Sequence, residues 1–461
     1  MRKLVLVITL FTMVFVSKSF YTQELDPLLQ LLVDKKILTE GEAQQVQKEY
    51  DSKKKSEKEE TKEVVAEATK SFKPVADALK ELKIGGTYFY SYQNGTKFDA
   101  TEKDGLKSYN QFVLKRAYFD LRKGITPYLT VRFTTDVHQD SSGSYLIRMK
   151  YLYGDFKWKG NSFFSKPHIE IGMCHTPWLD FGDYINPWRV QDTLFLERVG
   201  LIPSADLGFL FMTNFGGELP KSYQDEVSKG FPGKWGSLAI GLYNGGGYGA
   251  AEKNTNKMWH YRVSFRPIPA YAPGLQLTIG GASGKGNIAP FNYDKSGPFL
   301  NKRVYPDFKM FNYMISYQHP YFTLSAEGFK AEGNAKGSIY YTPSHYVPGV
   351  DYSDIFKSYK QKGHSFFGQV FLNNSKKWVL WARYDKYDPD TENIFETVKM
   401  HSEDVTKRYI YALAYKLYKD NLILLDYERL SHTKYYQNIF LSGETNMPTE
   451  ERLQLTLQIK F

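Results

Sequence analysis

The sequence predicts an all-β fold, a transmembrane antiparallel β-barrel of about 16 strands behind a short helical N-terminal periplasmic prefix. Three observations predict it. Residues 451–461 alternate without a fault: Leu453, Leu455, Leu457, Ile459 and Phe461 fall on one face, and Arg452, Gln454, Thr456, Gln458 and Lys460 on the other. A strand repeats every two residues, so this segment has one greasy and one wettable face, and it closes on an aromatic. The chain also opens with Arg2 and Lys3, an apolar run from Leu4 to Val16 and then Ser17-Lys18-Ser19, which has the layout of a secretory signal peptide. No later stretch is apolar enough for a membrane helix, so an exported chain of this kind enters a membrane through strands. Finally, β-type segments recur to the end, and the connections between them tend to alternate between short and long.

The elements follow in order. Residues 1–19 are the expected signal peptide, cut after Ser19; the apolar run is too short for a transmembrane anchor. Residues 20–83 form the helical, coiled-coil-like periplasmic prefix. Asp26-Pro27 marks an N-cap and first helical position ahead of Leu28, Leu29, Leu31, Leu32 and Val33. Thr39-Glu-Gly-Glu42 is a capping box that starts a second helix through Tyr50. The dense mixed charge of 48–63 fits a solvated helix or a linker, and Pro74 interrupts a last helical piece ending near Lys83. Residues 84–461 are the barrel. Its expected strands are 84–92, 111–123, 128–138, 145–157, 167–174, 206–215, 237–244, 257–267, 275–282, 309–318, 321–329, 364–373, 377–386, 407–418, 421–431 and 451–461. Short turns include His319-Pro320 and Asn374-Ser375-Lys376; long loops include 93–110, 175–205, 283–308, 330–363, 387–406 and 432–450. Connection 216–236 breaks the alternation, being long where a turn is due.

A barrel of that girth is too wide for side chains to fill, so its polar face encloses water. The polar faces of these strands collect Arg116, Arg122, Arg132, Arg148, Lys150, Arg262, Arg266, Arg383, Lys416, Arg452 and Lys460 against Asp120, Asp136, Glu170, Glu327, Asp385, Asp426 and Glu428. Eleven cations against seven anions is a bias toward anions, and the bland reading is cross-strand pairing in a neutral lumen. Arg116, Arg132, Arg148, Lys150, Arg262, Arg266 and Arg383 are the expected pore-lining anion contacts. Loop 175–205, with Trp178, Leu179, Phe181, Trp188, Leu194 and Phe195, is too apolar to stand in water. It is expected to fold against the inner wall and constrict the lumen, with Trp178, Trp188, Arg189 and Arg198 as its marked residues. Asp180, Asp183, Asp192 and Glu197 are the counter-charges; the alternative is a surface lid.

Aromatics make up 16% of the chain, with 36 Tyr and 32 Phe, as interfacial girdles require. Formal net charge is +10, and removing Arg2, Lys3 and Lys18 leaves +7, which suits anionic partners and solubility equally. Cys174 is the only cysteine, so no internal disulfide forms. The nine His show no metal-ligand spacing, and neither G-x-S-x-G nor a Walker loop is present; the glycine-rich run 244–249 has the character of a flexible loop. Neither catalysis nor a cofactor is expected. Pattern alone leaves a wall-embedded His–Ser hydrolase open, although His260 and Ser264 fall on the lumen side.

Several segments carry a family resemblance. Residues 110–122, Asn-Gln-Phe-Val-Leu-Lys-Arg-Ala-Tyr-Phe-Asp-Leu-Arg, with the following Leu129-Thr-Val-Arg-Phe-Thr-Thr-Asp136, resemble the opening hairpin of the phosphate-selective porin O and P family. So do Ile171-Gly-Met173, Thr176-Pro-Trp178, Phe195-Leu-Glu-Arg198, Asp206-Leu-Gly208, Ala382-Arg-Tyr-Asp385 and Leu425-Asp-Tyr-Glu-Arg429, in matching order across most of 110–461. The prefix, with Leu38-Thr-Glu-Gly-Glu42, is also similar to prefixes of the wider family. The resemblance implies a trimeric 16-stranded channel of the Gram-negative outer membrane that passes small anions, phosphate and polyphosphate in its named members. It also implies an arginine ladder leading to a lysine-rich constriction borne partly on the third loop. Here that loop has no lysine, and Arg116, Arg132 and Arg383 are the lumen cations that sit inside matching motifs. The expected function is a passive diffusion porin with a modest anion preference, with phosphate among the candidate solutes. Its expected partners are outer-membrane lipid, lipopolysaccharide and two further copies of itself, with no nucleic acid. The alternative is a non-conducting structural or adhesive barrel, for which loops 283–308 and 330–363 are suggestive.

Overall fold

A computed structural model of the chain describes residues 25–461 except 100, 103–104, 141, 228–229, 293–302, 342–356, 393–404, 433–434, 438–443 and 447. The expected signal peptide, 1–19, lies outside the described residues. The chain divides into two compact units at Lys80/Glu81. Among the described residues, no helix is long and apolar enough to cross a membrane.

The first unit is helical. In α1, Pro27–Asp34, Asp26 caps the first turn by accepting from the Leu28 amide at 2.9 Å. The capping box also forms: the Glu42 amide donates to the Thr39 hydroxyl at 3.3 Å, and Glu42 Oε2 accepts from the Thr39 amide at 2.8 Å. Helix α2 then runs unbroken from Glu40 to Leu79. Of the two readings of 48–63 the solvated helix is the one that forms, and the expected interruption at Pro74 is corrected. Lysines and glutamates three and four apart support the solvated middle of the helix. The one carbonyl that Pro74 leaves unbonded, that of Lys70, lies on an exposed stretch where water can serve it.

The second unit is a closed barrel of 16 strands, each antiparallel to its neighbours. They are β1 (Leu82–Phe98), β2 (Leu106–Thr126), β3 (Leu129–Gln139), β4 (Tyr145–Lys157), β5 (Phe164–His175), β6 (Ala205–Phe215), β7 (Gly236–Tyr243) and β8 (Met258–Phe265). Then come β9 (Leu275–Lys285), β10 (Asp307–His319), β11 (Phe322–Glu332), β12 (Lys360–Phe371), β13 (Trp378–Asp388), β14 (Thr406–Tyr418), β15 (Asn421–His432) and β16 (Glu450–Lys460). Every expected strand is present. The largest revision is at 93–110, where β1 and β2 extend to leave a tip of only 99–105.

The barrel closes where β16 pairs with β1, for example Tyr88 with Ile459 and Gln93 with Gln454. Gly86 and Phe461 exchange backbone hydrogen bonds at 3.1 and 3.3 Å, and the Phe461 ring lies where a Cβ on Gly86 would be. At Gly95, a Cβ would come within 2.1 Å of the Glu451 carbonyl oxygen. Gly95→Ala is therefore expected to prise the closing seam apart and to cost about 1–3 kcal/mol, read as a lower urea midpoint of the detergent-folded protein.

The faces are inverted relative to a water-soluble barrel. On β16, Leu455 is 47% exposed and faces outward, while Gln454 is 0% exposed and faces inward. Ser91 and Thr456 share an interior hydrogen bond at 2.9 Å, as do Gln93 and Gln454. Every strand of the ring is paired on both sides, so the ring has no free edge.

Two inserts occupy one side of the interior. The third loop, residues 176–204, carries α3 (Pro177–Ile185) and α4 (Phe195–Arg198). Its Trp178, Leu179, Phe181, Ile185, Phe195 and Leu196 bury against Phe308, Met310, Met314, Phe329 and Ala331 of β10 and β11. Further along, Trp188 and Val190 pack on Val379, Trp381, Ile410 and Leu424, with Trp188 stacked on Trp381 at 5.6 Å. The surface-lid alternative is thereby excluded. The second insert is the anomalous connection 216–236, which carries α5 (Lys221–Glu226) and tucks Phe231 against Phe181 and Tyr184. Parts of the inner faces of β10, β11 and β13–β15 are apolar where these inserts cover them, which corrects the expectation of a polar interior all round.

Candidate functional site: a charged passage along the barrel seam

With the β10–β15 side filled, the remaining interior space lies along β16 and β1–β4. Three recesses share lining residues from end to end. A recess of about 410 Å³ at the loop end is lined by Lys97, Asp192, Arg198, Arg408, Glu428 and Arg452. The middle one, about 380 Å³, also touches Asp192 and is lined by Lys115, Arg116, Arg148 and Arg189. The recess at the turn end, about 520 Å³, shares Arg189 and Tyr118 with the middle one and adds Asp120, Arg132, Lys150, His175, Asp180 and Asp183.

Two β-bulges bring lysines into this passage. The β1/β2 register shifts so that Phe89 faces Arg116 and Tyr90 faces Leu114, leaving Lys115 as the extra residue. Lys115 and Arg116 therefore both point inward. Lys115 Nζ donates to the Val190 carbonyl at 3.1 Å, to the Gln191 carbonyl and to Gln454 Oε1 at 3.2 Å. The β3/β4 register shifts in the same way, Thr134 facing Tyr151 and Thr135 facing Met149, with Lys150 the extra residue. Lys150 is 6% exposed, and its ammonium lies 4.7 Å from the Tyr118 ring centroid and 5.4 Å from that of Tyr151. Among the described residues, neither lysine has a carboxylate within ion-pair distance.

The carboxylates of the wall are shared. Asp120 accepts from Arg122 and from Arg132, each at 2.7 Å. Asp136 accepts from Arg116 at 3.0 Å and Arg148 at 2.8 Å. Glu428 takes Arg452 at 2.7 Å, Arg198 at 3.4 Å and Arg408. Each cluster therefore holds more cation than anion. The bland reading, one-to-one cross-strand pairing, is met only in part.

The loop side carries the opposite tendency. Arg189 pairs with Glu197 and lies 4.0 Å from Asp183. Arg198 also holds Asp192, at 2.8 Å. Burial works against the Asp192 charge, but Arg198, Lys115 and Arg452 outweigh it and hold the carboxyl well below the usual range. Asp183 differs. Part of its side chain meets the passage, with 36% exposed, but Oδ1 is enclosed without a hydrogen-bond partner. Burial pushes its pKa up to about 6, with Arg189 acting in the other direction.

The other expected site residues anchor the inserts. Arg262 is 0% exposed; it donates to Ser237 Oγ at 2.9 Å and lies beneath the Phe181 and Phe231 rings. Arg266 donates to the carbonyls of Gly233, Pro273 and Phe231, which fastens the 216–236 insert. Arg383 is held by Asp385 at 2.7 Å and donates to the Thr193 carbonyl at 3.1 Å. These three lie on the interior face as expected but are covered by the inserts and have no surface to offer a solute. Trp178 donates to Glu327 at 3.3 Å and Trp188 to Gln369 at 2.7 Å, so both face the wall and not the passage. Period-two reading missed Lys115 because a bulge breaks the period, and Arg408 because the strand's other inward residues are apolar. Among the described residues, no group of three or more His, Cys, Asp or Glu is placed to hold a metal.

A closed ring of 16 antiparallel strands with an apolar exterior and a charged interior is the architecture of a transmembrane β-barrel. The structure is similar to that of the Salmonella typhi OmpF complex with daunomycin, with a TM-score of 0.51, 12% identity, and coverage of 82% of this chain and 97% of that one. Other similar structures are an anion-selective porin from Comamonas acidovorans (TM-score 0.49, 11% identity, 82% and 99% coverage) and the outer membrane channel DcaP of Acinetobacter baumannii (0.49, 9%, 82% and 97%). No protein-family model matches the chain, nor does any curated protein. The phosphate-selective porin likeness therefore stays a resemblance, while the barrel fold is established.

Proposed function

We propose that this protein is a passive diffusion porin of the outer membrane of a Gram-negative bacterium, trimeric, with a modest preference for small anions, phosphate among them. The helical prefix then lies in the periplasm and the long loops face outside. The carrying observation is that the wall carboxylates Asp120, Asp136 and Glu428 are each shared by two or three arginines, while Lys115 and Lys150 face the passage with no carboxylate within ion-pair distance among the described residues. Charge-assisted hydrogen bonds from such groups replace water lost by a passing anion. Across the passage, Asp180 and Asp183 set an opposing negative face, which keeps the preference modest and leaves cations a path. No catalytic step is part of this reading.

Single-channel recording in planar bilayers with chloride, phosphate and a small organic anion in turn tests it. Open conductance with reversal potentials on the anion side is expected. The rival, a non-conducting structural barrel, is favoured by the two inserts that fill one side of the lumen, and it requires no open conductance. Arg132→Gln combined with Arg148→Gln should lower the anion-to-cation permeability ratio several-fold; an unchanged ratio would remove these two from the filter.

Asp183 gives the channel a pH response. Its raised pKa means that it takes up a proton as pH falls through about 6, removing one negative charge opposite Lys150 and Arg189. Anion preference should therefore rise from about pH 7 to about pH 5, and Asp183→Asn should flatten that response. The sign for stability follows the same shift: a carboxyl raised on folding contributes most at low pH, and the contribution is lost as pH rises through about 6.

A further inference from the structure

The outer surface of the barrel carries a row of lysines that the passage does not use. On five successive strands, an outward position at the loop end of the wall is basic: Lys309 on β10, Lys330 on β11, Lys362 on β12, Lys386 on β13 and Lys407 on β14. The ladders joining these strands at that level have no register shift, so period-two alternation puts each lysine on the face of Phe311, Leu324, Phe366, Leu380 and Tyr411. Lys330 sits directly opposite Lys362, and Lys386 directly opposite Lys407. Like charges directly opposed across strands cost stability. Lys362 pairs with Asp388 at 3.3 Å and Lys309 sits opposite Glu332 on β11; among the described residues Lys330, Lys386 and Lys407 have no carboxylate within ion-pair distance.

Below the row, toward the middle of the wall, small outward residues leave two joined apolar grooves of about 610 and 480 Å³, which share Ile315, Ala326 and Phe366. Adjacent strands are about 4.8 Å apart, so five strands spread the cations over roughly 20 Å directly above these grooves. On the opposite side of the barrel, the exposed outward residues Ile147, Ile171, Leu207, Ile240 and Trp259 of β4–β8 are apolar.

We propose that this face holds a phosphate-bearing membrane lipid, its headgroup phosphates on the lysine row and its acyl chains in the two grooves. Charge complementarity commits the site to that occupant. A second copy of this chain would need carboxylates facing the lysine row, and Ile147, Ile171, Leu207, Ile240 and Trp259 supply none. The proposal rests on the reading that hydrocarbon bathes the outer wall, and it assigns a defined patch of that wall to one class of lipid.

The test uses the full chain folded in detergent, with native mass spectrometry to count bound lipid. The probes are bisphosphorylated lipid A and its dephosphorylated form with the same chains. Since each basic residue beside an anionic headgroup contributes about five-fold, Lys330→Gln with Lys386→Gln and Lys407→Gln should weaken phosphorylated lipid on the order of 100-fold. Binding of the dephosphorylated form should stay as it was, and Ala382→Trp, which fills a groove, should weaken both. Equal affinity of the triple variant and the parent for phosphorylated lipid overturns the proposal. So does dissociation of the oligomer in the variants with lipid binding intact, which would make the face a contact between copies. If the parent chain takes up neither lipid nor detergent, the membrane reading itself fails. A triple variant that loses lipid but conducts as before supports the site and keeps it separate from the passage.

Discussion

Replacing both Lys115 and Lys150 by glutamine is expected to lower the anion-to-cation permeability ratio by roughly an order of magnitude. Each lysine brings to the passage a positive charge that no carboxylate within ion-pair distance shares among the described residues, because a bulge turns it inward. A unit charge about 4 Å from a passing ion is worth about 1 kcal/mol in water and more where the walls exclude it, which is roughly five-fold per lysine. The arginines divide their charge with Asp120, Asp136 and Glu428, so single neutralisations there should move the ratio less. Reversal potentials in a steep potassium chloride gradient measure the effect. Two lysines removed with no change in ratio would show that the selectivity resides elsewhere. Lys150→Met keeps the packing among Tyr118, Tyr151 and Tyr248 while deleting the charge, which separates electrostatics from a collapsed wall.

Arg383→Ala should raise single-channel conductance at least about two-fold and lower thermal stability at the same time. Arg383 ties the third loop to the wall through the Thr193 carbonyl and neutralises Asp385, with both side chains almost wholly buried. Removing one partner of a buried ion pair costs about 3–5 kcal/mol, largely through the charge left behind. Arg383→Ala with Asp385→Ala should recover part of the stability but not the loop anchor, so conductance should stay high. If the single variant destabilises without widening the channel, the loop is held by its apolar contacts alone. Phe181→Ala examines that case, because it opens a cavity between α3 and β10–β11 that should cost about 3–5 kcal/mol.

The ring of strands was legible because alternation is a local property: Leu453 through Phe461 and Tyr409 through Leu417 declare their faces without reference to any partner. The third loop was legible for a similar reason, since Trp178, Phe181, Trp188 and Phe195 have no place in water. What escaped is what depends on neighbours. The bulges at Lys115 and Lys150 are defined by pairing across strands, and nothing in the run of residues marks them. Arg262, Arg266 and Arg383 alternate as lumen cations should, yet the inserts lie on top of them. One clue was present and unused. Ile410, Ala412 and Ala414 make the inward face of β14 as apolar as its outward face, and a strand greasy on both sides must be covered on both. The length of 216–236 marked the second insert without saying where it folds.

The placement of the inserts also bears on how the ring is completed. They fill the β10–β15 side of the interior, which leaves the arginine and lysine strip beside the junction of the first and last strands. Until that junction is zipped, those guanidinium and ammonium groups would stand at an open flank, sideways to hydrocarbon, where an unpaired charge is expensive. Closure is then the event that both shelters the strip and creates the conduit. A half-assembled protein should therefore leak little, and the first measurable current should appear together with the last pair of ladder hydrogen bonds.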